Sequence, residues 1–476
     1  MNSMNHNCLL VGTCKCDITP KPPVALIGQY YGRIAEHIHS HLTATVLAAK
    51  YSEGAKTEQF VWVSCDLIGI PYRFLEQIRL EANKLDPDID PDNIIVNATH
   101  IHTGPYIYSE AGGIFWGPDF DYTATVPNET DPDIYADWAA SEIVVSIVEA
   151  IKRMEPVTAI SGFDYLSTSY NRRVVFSDGH TEMYGSTARD DFMYLEGPSD
   201  SGIHFLAFVN TNDDIIAAMI DTPCPAQILE HHSFISADYW SYVRKNLEAE
   251  FGEKFALLSL CGAAGDLSPR DLVRTAMDEP KMHETKMYNV EGAVYLADKI
   301  TEAFMKFVRS GGQKETAGVR HVSMVHMTSL YSVTEQDMMI SKQKYDDLRK
   351  KYTSISEFTE QECTLLSIYA GCIKRFEVQQ STSKHPIEIH CLRIGNVKIA
   401  TNPFELYVYY ADRIRSKANQ PNTFIVQLSC GYEGYLPSSV AVRNGGYSSY
   451  PCNGIIGPQG GEEIVRSTIE MLKSIE

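Results

Sequence analysis

The stretch that most constrains the fold of this chain runs from residue 60 to residue 105. Residues 60–64 form an apolar strand-like run, residues 71–84 carry apolar side chains at helical spacing, and residues 94–96 are a second β-branched run. A strand, a helix and a strand in this order predict a βαβ unit, because parallel strands need a long crossover connection. The sequence therefore predicts an α/β fold with a mixed, partly parallel sheet core covered by helices.

Two histidines follow the second of these strands. Residues 97–105 read Asn-Ala-Thr-His-Ile-His-Thr-Gly-Pro, so His100 and His102 stand two positions apart and a Gly-Pro turn closes the segment. Ligands of open α/β sheets bind beside the carboxyl ends of the strands, and alternate residues of a strand share a face. We expect both histidines to address one ligand, as metal ligands or catalytic groups. A pair of hydrogen-bonded turn histidines fits the short motif equally well.

Composition restricts the class of protein and its partners. The 476 residues carry a formal net charge of -20, which argues against a nucleic-acid partner or an anionic membrane surface. No apolar run approaches the roughly 18 residues of a membrane span, and the polar start lacks the pattern of a signal peptide. The eleven cysteines are scattered, which indicates reduced thiols. We expect an acidic, cytoplasmic protein without a membrane anchor that acts on a small molecule.

A second group of histidines precedes a predicted strand near residue 44. His37, His39 and His41 alternate, so an extended backbone would place them on one face. Glu36 is the acidic residue beside them in the sequence. A further metal site is conceivable there, and the sequence leaves open whether this segment reaches the same cavity as His100.

An aromatic loop follows Pro105. It contains the side chains of Tyr106, Tyr108, Phe115, Trp116, Phe120 and Tyr122. A long loop beside a candidate site favours a lid or a substrate wall, and a satellite hydrophobic cluster is the alternative.

Several polar side chains stand in predicted turns further along the chain. Arg172 suits a carboxylate, an oxyanion or a surface salt bridge, and Cys224 lies between two prolines. Asp266 and Ser268 occupy a turn of small residues that lets the backbone pass close to another segment. Glu405 is expected in the first turn of a helix, where a carboxylate acts as a cap. Residues 334–376 predict two charged helices, a solvated excursion rather than a domain.

Eight segments, in order and spacing, resemble the neutral, non-lysosomal ceramidase family and its bacterial relatives of unassigned substrate. These segments are residues 11–20, 65–67, 98–105, 171–172, 235–239, 265–269, 402–405 and 431–437. The resemblance implies a single α/β catalytic domain over residues 1–476 that binds one zinc ion. It also implies that the C-terminal immunoglobulin-like domain of ceramidases proper is missing from this chain.

The same resemblance implies the zinc ligands. His100, Glu405 and Tyr432 stand at three of the family's ligand positions, and Cys224 stands where the family has its second histidine. Cys224 could ligate zinc as a thiolate, since zinc accepts sulfur as well as imidazole nitrogen.

Two further readings of the departure at Cys224 remain open. A shifted loop could bring His231 or His232 to the metal. Alternatively, the site has lost its metal, and Cys224 is a nucleophile or a core thiol.

If zinc is bound, the resemblance implies metal-assisted hydrolysis. The metal lowers the pKa of a bound water toward roughly 7 and polarises the substrate carbonyl. His102 is then the general base or acid, Arg172 and Tyr447 steady the oxyanion, and Asp266 and Ser268 orient loops or substrate. The expected scissile bond is an amide, with an ester or lactone next.

Other functions fit the same sequence. A metal-free protein could use the aromatic loop to bind a ligand, and a carbohydrate-directed lyase or esterase could stack a sugar on Trp116 or Tyr106. The oligomeric state is open, and an oligomer is possible.

Overall fold

The computed structural model of this chain describes residues 7–54, 56–108, 131–277, 288–316, 318–351, 357–420 and 422–476. In chain order its strands are β1 Asn7–Asp17, β2 Val24–Leu26, β3 Arg33–Ala35, β4 Thr43–Glu53, β5 Lys56–Cys65, β6 Ile94–Ala98, β7 Glu155–Tyr165, β8 Tyr170–Asn171, β9 Arg173–Phe176, β10 Thr181–Met183, β11 Phe192–Leu195, β12 Gly202–Asn210, β13 Ile215–Thr222, β14 Ala256–Cys261, β15 Leu267–Ser268, β16 Gln313–Glu315, β17 Val319–Ser329, β18 Lys384–Ile394, β19 Val397–Thr401, β20 Glu405–Leu406, β21 Thr423–Val426 and β22 Tyr435–Leu436. The helices are α1 Tyr72–Leu85, α2 Pro132–Lys152, α3 Asp238–Phe251, α4 Leu272–Met277, α5 Val290–Arg309, α6 Glu335–Arg349, α7 Glu360–Gln379, α8 Val408–Ala418, α9 Ser439–Asn444 and α10 Pro458–Ser474.

A nine-stranded mixed sheet forms the centre of the fold. Its order is β14-β13-β12-β7-β1-β4-β5-β6, with β16 added against β7. The pairs β5–β6 and β13–β14 are parallel, and the other pairs are antiparallel. The predicted βαβ unit is therefore present as β5, α1 and β6, and the predicted mixed, partly parallel sheet is confirmed.

A second sheet carries the C-terminal part of the chain. Its order is β17-β18-β19-β21, and β19 pairs with β21 in parallel. The chain after β21 returns to the main sheet, because Ala98 donates its N–H to the carbonyl oxygen of Leu428 at 3.1 Å. Cys430 likewise donates its N–H to the carbonyl oxygen of Val96 at 2.8 Å. These hydrogen bonds join the end of β6 to the segment that leads to Tyr432.

Helix α2 shows how the sequence covers the main sheet. The Asp131 side chain accepts hydrogen bonds from the backbone N–H groups of Asp133 and Ile134, which satisfies donors of the first helical turn. Ile143 and Ile147 on the inner face are fully buried in the core. The helix packs on β1 and β4, so burial of this apolar face stabilises the main sheet.

The structure corrects the prediction for Glu405. Glu405 does not cap a helix, because it lies in β20 and pairs in parallel with Tyr435 of β22. Helix α8 begins only at Val408, whose N–H donates to the Asp266 carboxylate at 3.0 Å. The helix is therefore capped by a side chain that is distant in sequence, a contact that local spacing does not reveal.

The two charged helices predicted between residues 334 and 376 are present as α6 and α7. They pack on each other, and α7 also packs on the short 3-10 helix Pro451–Asn453. Arg375 of α7 is fully buried and donates hydrogen bonds to the carbonyl oxygens of Tyr331 and Ile455 at 2.8 and 3.0 Å. The α6–α7 hairpin is thus docked on the protein by one buried face, which its charge pattern did not predict.

Two other sequence predictions concern the whole chain. All eleven cysteines lie in the described ranges, and each is a free thiol. Within those ranges no helix has the length and apolar character that a bilayer crossing requires.

The aromatic-loop positions Phe115, Trp116, Phe120 and Tyr122 lie outside the described residues.

Candidate metal and catalytic site

His100 lies in a turn just beyond β6. Its φ of 62° lies in the left-handed region, and β6 ends at Ala98. The expectation that His100 and His102 share a face as alternate residues of one strand therefore does not hold. Its N–H donates to the Leu67 carbonyl oxygen at 2.9 Å, and its Nδ1 lies 2.7 Å from the Ile68 carbonyl oxygen. Because a carbonyl oxygen accepts, Nδ1 carries the proton, and the Nε2 atom of His100 presents a lone pair.

Glu405 meets His100 at this lone pair, and Tyr432 contacts the other oxygen of the same carboxylate. The Oε2 atom of Glu405 lies 3.3 Å from Nε2 of His100, and the Tyr432 hydroxyl donates to Oε1 of Glu405 at 3.3 Å. Two glycines allow this approach. A Cβ atom on Gly265 would stand 2.3 Å from the Glu405 carbonyl oxygen, and one on Gly69 would stand 2.7 Å from the Tyr432 ring. Close backbone packing at Gly265 matches what its small-residue turn predicted.

His102 approaches the same Nε2 atom of His100. Their Nε2 atoms are 3.4 Å apart, and their rings meet edge to face with centroids separated by 4.9 Å. The Nδ1 atom of His102 lies 3.2 Å from Oε2 of Glu230. Gln29 donates to the same Glu230 oxygen at 3.1 Å. The histidine is therefore oriented by a buried carboxylate that the sequence analysis missed.

The backbone around His102 is held by two further residues. Arg33 is buried, and its guanidinium donates to the carbonyl oxygens of His102 and Glu230 at 2.6 Å each. Gly28 has φ 107°, and a Cβ atom there would lie 2.8 Å from the Cα atom of His102. These contacts join residues far apart in the sequence, so no local sequence signal indicates them.

Burial and neighbouring charges act against each other on the ionisable groups of the site. Burial, aided by His100, lowers the pKa of His102 below its ordinary value. Burial alone would raise the pKa of both carboxyl groups, but His100 keeps that of Glu405 below its usual range and His102 does the same for Glu230. The site thus combines two ionised carboxylates with two imidazoles.

A group of tyrosines borders Glu405. The Tyr30 and Tyr447 hydroxyls are hydrogen-bonded at 2.5 Å, and the Tyr435 and Tyr447 rings meet edge to face at 5.5 Å. Burial raises the pKa of Tyr447 to about 12, so its hydroxyl keeps its proton at neutral pH. A cavity of about 40 Å³ opens here, and its wall includes Tyr30, Ser367, Glu405, Tyr432, Tyr435 and Tyr447.

Arg172 also contacts this group of tyrosines. Its buried guanidinium donates to the Tyr435 hydroxyl at 3.1 Å and to the Gly265 carbonyl oxygen at 3.0 Å. Burial acts to lower the pKa of Arg172, but the neighbouring Tyr435, Tyr184 and Glu405 outweigh it and leave this pKa well above its ordinary value, so the side chain stays charged.

Asp266 and Ser268 lie behind this layer. Besides capping α8, the Asp266 carboxylate accepts a hydrogen bond from the Asn171 side chain at 2.9 Å, and burial raises its pKa to about 6. Ser268 shares a hydrogen bond with the Tyr288 hydroxyl at 2.8 Å and accepts one from Gln227 at 3.4 Å. These hydrogen bonds suit the expected role of Asp266 and Ser268, which is to orient loops or substrate.

Cys224 has a different environment. Its buried thiol donates to the Thr168 carbonyl oxygen at 3.2 Å, and its own carbonyl oxygen accepts from the Tyr239 hydroxyl at 2.7 Å. Burial raises the pKa of the Cys224 thiol well above its ordinary value. The contacts of this thiol are thus with Thr168 and the core, while Glu405 contacts both His100 and Tyr432.

The remaining histidines are found with other partners. His231 lies 3.7 Å from Glu230, and the His232 ring stacks on Phe234. His39 also stacks on Phe234, and it shares a hydrogen bond with Tyr242 at 2.8 Å. The predicted His37, His39 and His41 group therefore contacts Phe234 and its surroundings, with His41 paired to Asp17 at 2.7 Å.

A second cluster of donor groups lies under the turn at residue 430. The ligand atoms of Glu388, His390 and Cys430 all lie within 4.8 Å of one another. Arg79 points into this group. Its Nη2 atom lies 2.5 Å from Glu388, 3.5 Å from Nε2 of His390 and 3.8 Å from Sγ of Cys430. The guanidinium is therefore the cation that these three donors share.

The donor chemistry of the first cluster fits zinc. An imidazole nitrogen, a carboxylate and a phenol are first-row metal ligands, and catalytic zinc commonly has three protein ligands and an open position. The Nε2 lone pair of His100 faces a carboxylate oxygen and a second imidazole nitrogen within 3.4 Å. Such an arrangement is repulsive unless the groups share a proton or a cation.

Comparisons with known proteins give the fold. No protein-family model and no curated protein matches the chain. The crystal structure of neutral ceramidase from Pseudomonas aeruginosa superimposes with a TM-score of 0.69 at 16% identity, over 98% of this chain and 74% of that one. A structure described as ceramidase complexed with C2 gives 0.70 at 17% identity, over 98% and 75%. The resemblance predicted from the eight segments is confirmed for the fold.

Proposed function

We propose that this chain is a zinc-dependent hydrolase that cleaves an amide bond, with an ester or a lactone as the next choice, in a small soluble substrate. The observation that carries the proposal is the convergence of the His100 Nε2 atom, the Glu405 carboxylate and the Tyr432 hydroxyl through contacts of 3.3 Å. The fold shared with a neutral ceramidase adds support, since a ceramidase is a hydrolase.

In this proposal His100, Glu405 and Tyr432 hold the metal. When bound, zinc supplies Lewis acidity toward a carbonyl oxygen and makes a bound water more acidic. Cys224 is left out of the ligand set, because its thiol donates to Thr168 and its position matches the family's second histidine only in sequence. A position left open by three protein ligands suits a catalytic rather than a structural zinc site.

His102 serves as the general base or acid of the proposed reaction. The carboxylate of Glu230 at 3.2 Å orients its Nδ1 side, so that Nε2 faces the reacting groups beside His100. A buried imidazole held by a carboxylate is the usual arrangement for moving a proton near neutral pH.

The oxyanion that forms during hydrolysis needs hydrogen-bond donors on the opposite side. Tyr447 retains its proton, and Arg172 remains charged beside Tyr435, so both can donate toward a substrate oxygen. Asp266 and Ser268 orient the segments that carry these donors. The free state of all eleven cysteines supports the further proposal of a reducing compartment such as the cytoplasm.

A panel of substrates tests this function. Purified protein is assayed on N-acyl compounds, esters and lactones, with zinc content measured in the same samples and His100→Ala as the matched variant. We expect hydrolysis that depends on stoichiometric zinc and is lost in His100→Ala. Folded protein that binds well below one zinc per chain, and is unaffected by His100→Ala, would instead support a metal-free ligand-binding role.

A further inference from the structure

The cavity beside Glu405 is small, and part of its wall comes from the α6–α7 hairpin. Glu405 and Tyr447 line it together with Ser367 of α7 and Asn453. Its volume is about 40 Å³, whereas one water-sized position requires roughly 10–15 Å³. The cavity therefore accommodates about three non-hydrogen atoms.

The hairpin that supplies Ser367 is fixed in place by buried polar contacts. Arg375 donates to the carbonyl oxygens of Tyr331 and Ile455, and Gln379 forms two hydrogen bonds with the backbone of Val333, at 2.7 and 2.8 Å. Breaking these contacts would leave a buried guanidinium and several backbone groups unsatisfied. The wall at Ser367 is therefore rigid rather than a solvated surface that moves aside.

A short run of backbone hydrogen bonds connects this wall to Glu405. Ile455 donates its N–H to the carbonyl oxygen of Glu433 at 3.1 Å, and Gly434 forms a β-bridge with Gly454. Glu405 in turn donates its N–H to the carbonyl oxygen of Gly434 at 2.8 Å. Wall and candidate metal ligand are thus held at a fixed separation.

The position of the tyrosines indicates which half of a substrate enters the cavity. In amide hydrolysis one tetrahedral carbon carries the oxyanion, the acyl chain and the leaving amine, and the amine must face the group that delivers a proton. Tyr447, the proposed oxyanion donor, lines the cavity, whereas His102 and its neighbour Glu230 are outside the cavity wall among the described residues. The acyl chain is therefore the part that points toward Ser367.

We propose that the α6–α7 hairpin closes the acyl subsite, with Ser367 limiting the acyl group of the substrate to about two or three carbons. This inference rests on the proposed hydrolase function and names its substrate class, a short-chain N-acyl compound. It assigns the hairpin a role in specificity that its charged sequence does not suggest.

Binding of short hydroxamates to the zinc-loaded protein tests the proposal without relying on turnover. Isothermal calorimetry compares acetohydroxamate, butyrohydroxamate and hexanohydroxamate. For wild type we expect affinity to fall at least about tenfold from the two-carbon to the six-carbon compound. Ser367→Gly should recover several-fold of the loss for butyrohydroxamate, and Ser367→Leu should weaken its binding further while acetohydroxamate changes little.

Ser381→Leu is the matched control, because it makes the same chemical change at an exposed serine just beyond α7. It should leave the chain-length profile unchanged. Equal affinity for all three compounds, no detectable binding of any of them, or a profile that neither Ser367 variant alters in a folded protein would overturn the proposal. A length preference without hydrolysis of any substrate would refute the hydrolase function and leave the size limit at Ser367 standing.

Discussion

Two buried clusters of this protein contain nearly the same functional groups and differ in what balances their charge. At the candidate site, His100 and Glu405 meet at 3.3 Å with Tyr432 beside them. Under the turn at residue 430, His390 and Glu388 meet at 2.6 Å, and Arg79 lies between them and Cys430. In the second cluster the guanidinium of Arg79 is hydrogen-bonded to the carboxylate, whereas at the candidate site the guanidinium of Arg172 donates to Tyr435 and to the Gly265 carbonyl oxygen.

This difference decides which cluster is the better metal candidate. The donor atoms of Glu388, His390 and Cys430 are the more tightly grouped, but a guanidinium already forms hydrogen bonds to the carboxylate there. Displacing a buried guanidinium would leave an uncompensated charge, at a cost of several kcal/mol. Proximity of ligand atoms is therefore a weaker criterion for a metal site than donors that are not already hydrogen-bonded to a guanidinium.

The largest expected effect separates the two carboxylates. Glu405→Gln removes a proposed ligand, so we expect zinc affinity to fall by more than about 100-fold and hydrolysis to be lost. Glu388→Gln, the same change in the other cluster, should keep one zinc per chain. Metal analysis after dialysis measures both. Zinc loss in Glu388→Gln with retention in Glu405→Gln would reverse the comparison.

Removing the internal cation tests the second cluster directly. Arg79→Ala leaves the half-buried Glu388 with His390 as its remaining partner, and we expect the free energy of unfolding to drop by about 3 kcal/mol. Because the donors are then free of the guanidinium, a second equivalent of zinc should bind and restore part of the stability. Urea unfolding with and without zinc provides the measurement. A stable Arg79→Ala protein would show that the guanidinium is not needed there.

The second cluster should also impose a pH dependence on stability. Burial acts to lower the pKa of His390, but Cys430 and Glu388 raise it to about 9, above the ordinary 6.5. Its stabilising contribution is thus complete below pH 6.5 and lost as the pH rises through about 9. It amounts to at most about 3 kcal/mol.

Urea midpoints at pH 6, 7.5 and 9 test this dependence. The fall in stability across this range should be smaller in His390→Gln than in wild type. A fall of equal size in both proteins would assign the pH dependence to other groups.

The smallest expected effect concerns packing at the candidate site. Gly69→Ala pushes a methyl group against the Tyr432 ring, which we expect to cost about 1–3 kcal/mol of stability and to weaken zinc binding about tenfold. Gly185→Ala is the control, because its new Cβ atom would stand 2.9 Å from the ring of Phe176 instead. Competition with a chromophoric chelator gives both affinities, and a similar loss in the two variants would argue against a specific role of Tyr432.

The sequence predicted the elements of the fold better than the partners within the site. Apolar periodicity identified β5, α1 and β6, because their burial pattern is local. The sequence pattern also placed Glu405 in a helix, and this prediction was wrong. Its actual position depends on the pairing of β20 with β22 and on the cap from Asp266, which both join residues far apart in the sequence. Long-range contacts of this kind leave no local periodicity.

The same limit applies to the site residues. His100 and Tyr432 could be named from motifs, and they do lie together around Glu405. Glu230 could not, because nothing in the local sequence indicates that its carboxylate lies beside His102. Cys224 was matched by sequence position alone, and its thiol is bonded to Thr168.

Cobalt substitution is the most direct test of the central claim that His100, Glu405 and Tyr432 hold the metal and Cys224 does not. Zinc-depleted protein is titrated with Co²⁺ and its absorption spectrum recorded, alongside Cys224→Ser. We predict one equivalent of bound cobalt, no intense sulfur-to-cobalt charge-transfer band, and the same spectrum in Cys224→Ser. A charge-transfer band that disappears in Cys224→Ser, or folded wild-type protein that binds no cobalt, would contradict the account.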